Sequence, residues 1–370
     1  MVTLAADAPL ADDFTAEVSD AITAHLDRQA AALAAIDARL TPLIDRARLL
    51  TDGGKRLRPA FCAWGWIAGG GGAELPDAVV RAAASLDLLH VSALVHDDVM
   101  DASDTRRGEP AAHRQFAADH AAAGWRGDAE AFGRAGAILL GDLLLMWSEE
   151  MFRTAGLDAG ALERGRPQLE AVRTEVTAGQ YLDVLAQAQP PLPARTPQGR
   201  AELTDLVRTV VTWKSASYTI RRPLLLGAAL AGASEAALAA LTAFGQPLGR
   251  AFQYRDDMLG VFGDAALTGK TSAEDLREGK LTLLAVEAFA RASEADAGAL
   301  AGLFGDPRLS DAGAQHARDI IARSGAQDAV EAEIDREFGA ALAALEASDL
   351  TDSGREGLAA LAHRAVRRSY

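Results

Sequence analysis

Apolar residues recur at three- and four-residue intervals through most of the chain, and strictly alternating stretches are scarce. That period belongs to helices that bury one face, because side chains three and four positions apart stack on the same side. Val80, Ala84, Leu88, Val91 and Val95 follow it, with Arg81 and Asp87 on other faces. Leu139 to Trp147 and Leu203 to Leu226 are further helix-forming stretches, and abundant alanine favours helix throughout. The breaks are made by glycine and proline. Gly69-Gly70-Gly71-Gly72 reads as a turn, and Ala102 to Gly133 is interrupted by both residue types. Pro190-Pro191-Leu192-Pro193 through Pro197 reads as a surface loop, and Gly263 to Gly269 as another. Beyond Ala292, alanine-rich helices with acidic faces resume. No boundary separates two differently composed halves. The pattern predicts an all-α protein, a single helical domain over residues 1–370 with residues 1–20 loosely ordered.

Composition narrows the function. The chain has 370 residues, 49% hydrophobic and 24% charged, enough for a large core. Thirty-seven basic against 52 acidic residues leave a net charge of −15, which argues against a protein held to nucleic acid by phosphate neutralisation. Anionic substrates still fit if metal ions or local basic clusters reverse the field. A lone cysteine, Cys62, excludes an intramolecular disulfide and suits a reducing compartment. Met1 to Asp20 has no basic start before an apolar run, so it does not read as a signal peptide. In the second half, the longest uncharged apolar stretch, Pro223 to Ala233, falls short of the ~20 residues that span a bilayer. These features predict a cytoplasmic protein without integral membrane association. Asparagine is absent, and only Lys55, Lys214, Lys270 and Lys280 are lysines; a chain that writes its positive charge as arginine keeps lysine for particular places.

Two acidic groups carry candidate chemistry. In His96-Asp97-Asp98-Val99-Met100-Asp101 the helical period continues into the carboxylates. Asp97 and Asp101, at i and i+4, share a face about 6 Å apart along the axis. Two such carboxylates repel unless a cation joins them, and oxygen-only ligands point to a hard ion such as Mg²⁺. A solvated acidic helix end would look the same, but Asp104-Thr105-Arg106-Arg107-Gly108 follows at once. Its two adjacent guanidiniums suit phosphate oxygens, so the combination fits a diphosphate ester. The second group is Gln253-Tyr254-Arg255-Asp256-Asp257-Met258-Leu259-Gly260, with Asp264 beyond it. Thr268-Gly269-Lys270 and Asp275-Leu276-Arg277-Glu278-Gly279-Lys280 come after. Gly53-Gly54-Lys55-Arg56-Leu57-Arg58-Pro59 leads paired glycines into a basic turn, and Trp213-Lys214-Ser215 sets a lysine in an apolar helix. Each of the four lysines falls beside a glycine turn, an aspartate group or an apolar helical face.

In their order and spacing these strings resemble the trans-isoprenyl diphosphate synthase (polyprenyl synthetase) family, from the Gly-Gly-Lys-Arg-Leu-Arg-Pro turn to Lys280. The resemblance implies an all-helical fold with a central cavity between two facing aspartate-rich helices, and a homodimer. It implies Mg²⁺-dependent head-to-tail condensation of isopentenyl diphosphate with an allylic diphosphate. Lys55, Arg58, His90 and Arg107 would hold the diphosphate of isopentenyl diphosphate. Asp97, Asp101 and Asp256 would ligate three Mg²⁺ ions bridging to the allylic diphosphate, which Arg106, Lys214 and Lys270 would also grip. Gln253 and the backbone near Lys214-Ser215 would face the developing allylic cation, while Gln180 and Asp183 would support the site from behind. Gly260 departs from the family's frequent third aspartate, with Asp264 a possible substitute, and Ser215 stands where threonine is common.

Ser92 and Ala93 lie five and four residues before Asp97, about one helical turn deeper. Short-product members often carry aromatics there. Small side chains leave room for a longer tail, which favours geranylgeranyl diphosphate over farnesyl diphosphate, or serve only to let helices pack closely. A longer-chain polyprenyl product is the remaining synthase alternative. Of the other readings, a class I terpene cyclase would normally begin its second metal motif with asparagine, absent here. A non-catalytic subunit of a heteromeric synthase would generally lose one aspartate group.

Overall fold

The computed structural model describes residues 2–106, 108–188, 194–263 and 274–367. Its helices run in chain order: α1 Asp12–Ile36, α2 Thr41–Thr51, α3 Leu57–Trp66, α4 Asp77–Met100, α5 Ala112–Ala122, α6 Ala129–Arg153, α7 Ala159–Ala188, α8 Pro197–Val210, α9 Arg222–Ala231 and α10 Glu235–Phe262. Shorter helices fill Glu274–Leu303, and Asp311–Arg323, Ala326–Glu346 and Asp352–Val366 complete the described order. The sheet content described is two antiparallel ribbons, β1 Val2–Thr3 with β2 Glu74–Leu75, and β3 Thr105–Arg106 with β4 Glu109–Pro110. The all-α expectation holds.

The chain divides into two compact units, each gathered from separated segments. The first comprises Met1–Arg173, Thr219–Thr242 and Leu345–Leu361. Its axis is α4, which packs against α1, α3 and α6. The periodic residues Val80, Ala84, Leu88, Val91 and Val95 are all buried, and each Leu or Val so removed from water stabilises by about 1.5–3 kcal/mol. This helix is long and apolar enough to cross a bilayer, with a mean hydropathy of 1.6, yet 72% of that window is buried within the protein. It is a core helix by its surroundings. Asp87, off the apolar stripe in the pattern, is buried too. Residues 2–20, expected to be loose, are tied in: Val2 pairs with Leu75 in the β1–β2 ribbon, and Val2, Leu4, Phe14 and Val18 are buried. Helix α3 meets α9 backbone to backbone, since a Cβ on Gly65 would lie 2.1 Å from the carbonyl oxygen of Leu224. Glycine is the residue that permits this approach.

The second unit comprises Thr174–Tyr218, Ala243–Ala344 and Ala362–Tyr370. Arg255 on α10 makes a two-pronged pair with Glu331 at 2.5 and 2.6 Å, and Arg250 reaches Glu337 at 2.7 Å. Both pin α10 to the helix Ala326–Glu346 by charge-assisted bonds. The stretch Leu203–Leu226, read as one apolar helix, is three elements. Helix α8 widens into a π-type helix over Val211–Arg221, and α9 restarts with Pro223 in its first turn, where the missing N–H costs nothing. Thr196 caps α8 through the Gly199 N–H at 3.0 Å, so the expected proline-rich loop gives way to helix at Pro197; residues 189–193 lie outside the described residues.

Candidate active site

Helix α4 ends in the first acidic group. Asp97 sits on its last turn, and Asp101 caps it by donating its backbone N–H to the Asp97 carbonyl at 2.8 Å. Both are half-buried. A helix C-terminus already carries partial negative charge from its unpaired carbonyls, so two carboxylates there form a place for a cation. Asp98 turns inward instead, 2% exposed, and accepts from Arg106 Nε at 2.9 Å and more closely from Nη2. The same Nη2 stands 3.8 Å from Asp97 Oδ2. Arg106 reaches both carboxylates because the chain reverses after α4: Ala102 has φ +52°, and β3 doubles back on β4 through Gly108 at φ +82°. Burial pushes the Asp98 carboxyl above the ordinary range, against the opposing pull of the guanidinium. Arg107 lies outside the described residues.

The second group repeats this division of labour. Asp256 is half-buried on α10. Asp257 is buried, accepts from Gln253 Nε2 at 2.9 Å, and stands 3.4 Å from Lys280 Nζ. Burial again raises its carboxyl, with Lys280 opposing. Asp257 is thus the counter-ion of Lys280, and only Asp256 of this pair is open enough to be a ligand. Gly260 is explained by its surroundings: a Cβ there would lie 2.2 Å from Asp275 Oδ2. At this position, where the resemblance implies a third aspartate, the Asp275 carboxylate fills the adjoining space. Asp264 and Lys270 lie outside the described residues.

In the same unit the π-type helix presents Lys214, whose Nζ meets Asp183 Oδ2 at 2.5 Å. Widening a helix displaces its side chains from the regular register and occurs often at functional sites. Gly179 on α7 lets the two backbones touch, since a Cβ there would lie 2.3 Å from the Lys214 nitrogen. Asp183, one turn further along α7, then reaches the ammonium. Gln180 and Ser215 are half-buried beside this contact in sequence.

Back in the first unit, Lys55 is exposed and Arg58 half-buried, with Arg58 Nη2 donating to Thr219 Oγ1 at 3.0 Å. Between them Arg56 points inward, 6% exposed. It adopts a left-handed φ of +48°, a strain of about 1–2 kcal/mol for a residue with a Cβ. His90 lies half-buried on α4. Ser92 is buried and donates to the Gly141 carbonyl of α6 at 2.8 Å, whereas Ala93 remains partly open. Ser92 is thus tied to α6, and Ala93 is the more open of the two.

The residues missed by sequence reasoning are the buried partners: Asp98 for Arg106, Asp257 for Lys280, and Asp87 for Arg56. Their signal was present as charges inside apolar runs, but the identity of each partner was not.

The donor set fits Mg²⁺. Asp97 and Asp101 in the first unit, and Asp256 in the second, offer hard oxygens only. That suits an ion that keeps waters and takes phosphate oxygens from its substrate, and does not suit a structural zinc.

Comparison with known proteins gives the same direction. The model of the polyprenyl synthetase family matches residues 44–321. A crystal structure of geranylgeranyl pyrophosphate synthase from Corynebacterium glutamicum, complexed with isoprenyl diphosphate and magnesium, is 40% identical, with a TM-score of 0.89 over 97% of this chain and 99% of that one. A geranylgeranyl diphosphate synthase from Mycobacterium tuberculosis is 33% identical over 81% of this chain and 77% of its own length. A short chain isoprenyl diphosphate synthase from Methanothermobacter thermautotrophicus is 30% identical over 87% and 89%.

Proposed function

The chain belongs to the polyprenyl synthetase family and is a trans-isoprenyl diphosphate synthase, and on that premise we propose that it condenses isopentenyl diphosphate with an allylic diphosphate to make geranylgeranyl diphosphate. The observation that carries this reading is the pairing, in each unit, of a half-open aspartate with a buried neighbour that holds a cationic side chain. Such pairs keep positive charge and metal-binding oxygens together beside a diphosphate.

Asp97, Asp101 and Asp256 would hold Mg²⁺, with three ions as the family pattern implies. When bound there, Mg²⁺ would supply positive charge to the diphosphate leaving group. Arg106, Lys214 and Lys270 would grip the same leaving group, their orientation fixed in advance by Asp98 and Asp183 for the first two. Gln253 and the carbonyls near Lys214-Ser215 would face the allylic cation. Lys55, Arg58, His90 and Arg107 would hold the diphosphate of isopentenyl diphosphate so that its alkene attacks that cation. A carbon–carbon bond forms, a proton leaves the adjacent carbon, and the departed diphosphate accepts it. Holding two substrates in reacting geometry supplies much of the rate.

The two units would work as one synthase domain in the cytoplasm, as a homodimer. Support for the dimer comes from α6, where Phe132, Leu139 and Met146 are 39%, 60% and 57% exposed at seven-residue intervals, an apolar stripe that a second copy would cover. The test uses purified protein with Mg²⁺, isopentenyl diphosphate and a radiolabelled allylic starter, with chain length read by chromatography. A twenty-carbon product is expected; no elongation without a second protein would overturn the reading.

A further inference from the structure

Arg56 lies between Lys55 and Arg58, and its side chain is turned inward. Nη1 donates to Asp87 Oδ2 at 3.0 Å, Nη2 to the Thr51 carbonyl at 2.9 Å, and Nη2 and Nε to Ser19 Oγ at 3.1 and 3.3 Å. The side chains of the Arg56–Asp87 pair are only 5% and 7% exposed. One guanidinium therefore ties together α1, the end of α2 and the middle of α4. Its own backbone is left-handed, following Gly53 and Gly54 at φ +67° and +90°, so the turn that presents Lys55 has little regular hydrogen bonding of its own to fix it.

The partner's place on α4 matters. Asp87 is three residues before His90, and residues three apart lie on one face of a helix. The Arg56–Asp87 pair thus fastens the turn bearing Lys55, and the start of α3 bearing Arg58, to the helix face bearing His90.

We infer that Arg56 is a positioning residue for isopentenyl diphosphate, acting through Asp87 to set Lys55 and Arg58 against His90 without touching the substrate. The inference rests on the proposed assignment of those three residues to that diphosphate. Planar guanidinium geometry is what serves three acceptors at once, and a lysine ammonium cannot reproduce it.

The test measures KM for isopentenyl diphosphate and for the allylic substrate in Arg56→Gln, Arg56→Lys and Asp87→Asn, with Lys55→Ala as reference and thermal melting recorded for each. Misplacement of phosphate ligands by an ångström is expected to raise KM for isopentenyl diphosphate about tenfold or more, with the allylic KM within about twofold. The double variant Arg56→Gln/Asp87→Asn should be no worse than the poorer single one, as for two residues acting as a unit. If Lys55→Ala raises that KM but the Arg56 and Asp87 variants only lower the melting temperature, the inference is overturned and the site assignment stands. If Lys55→Ala leaves it unchanged as well, both fall. Should Arg56→Gln fail to fold, Asp87→Asn, which keeps the arginine, decides on the same criterion.

Discussion

The two aspartate pairs, Asp97-Asp98 and Asp256-Asp257, look alike in sequence and are built alike, but they are completed differently. In each, the first carboxylate is half-open and the second is buried against a cation, Arg106 in one unit and Lys280 in the other. The first group adds Asp101 at the helix end, on the face of Asp97. In the second the Asp275 carboxylate stands where a side chain at Gly260 would begin, so an equivalent there would have to displace it. Adjacent aspartates therefore differ in setting: one is half-open, the other buried against a basic side chain, and on the proposed reading the first would serve a metal and the second would hold the cation.

Removing metal with a chelator should break both groups together. Condensation is expected to stop and return on adding Mg²⁺, while the melting temperature stays nearly constant, because an ion held largely by waters and substrate oxygens is not a structural part of the fold. Asp97→Ala and Asp256→Ala should each lower turnover by ~10²–10³-fold or more; near-normal Mg²⁺-dependent rates in either would contradict its place as a ligand. Asp98→Asn and Asp257→Asn should instead act through stability as well as rate. Each leaves a largely buried cation with half its partner, a loss of about 1–3 kcal/mol in urea denaturation. A variant that lost rate with unchanged stability would place that aspartate on the metal and dissolve the distinction between neighbours. Gly260→Asp, which restores the commoner motif, should destabilise by about 1–3 kcal/mol through overpacking against Asp275; a gain in activity with unchanged melting would show that the two groups want the same third carboxylate. The smallest effect concerns the product. Ala93→Phe should shorten it with little change in melting, whereas Ser92→Phe must displace α6 at Gly141 and should lose stability before it alters chain length. Equal product shortening with equal stability would return Ser92 to the pocket floor.

Much of this was legible in the chain. The three- and four-residue period dictated helices, since a half-buried helix can hide its apolar residues only on one stripe. Asp97 and Asp101 followed from the same period, and the motif order carried the family. Other features were not legible. The stretch Leu203–Leu226 keeps one helical period of apolar residues, so nothing local announces that it widens at Val211; the Gly179 contact with Lys214 is made by residues thirty-five positions apart. The burial of Asp87, which lies off the apolar stripe, could not be read from the period, because only a guanidinium arriving from another segment makes it tolerable.

The sequence by itself determined the helices, the acidic and basic residue types and the chemistry they permit, because these depend on period, donor atoms and short spacing. Tertiary structure alone decided which member of each aspartate pair is open, why Gly260 is a glycine, and that Arg56 faces inward. Those outcomes depend on which charge from a distant segment is brought within hydrogen-bond reach, and burial makes an unpartnered charge too costly to leave the choice open.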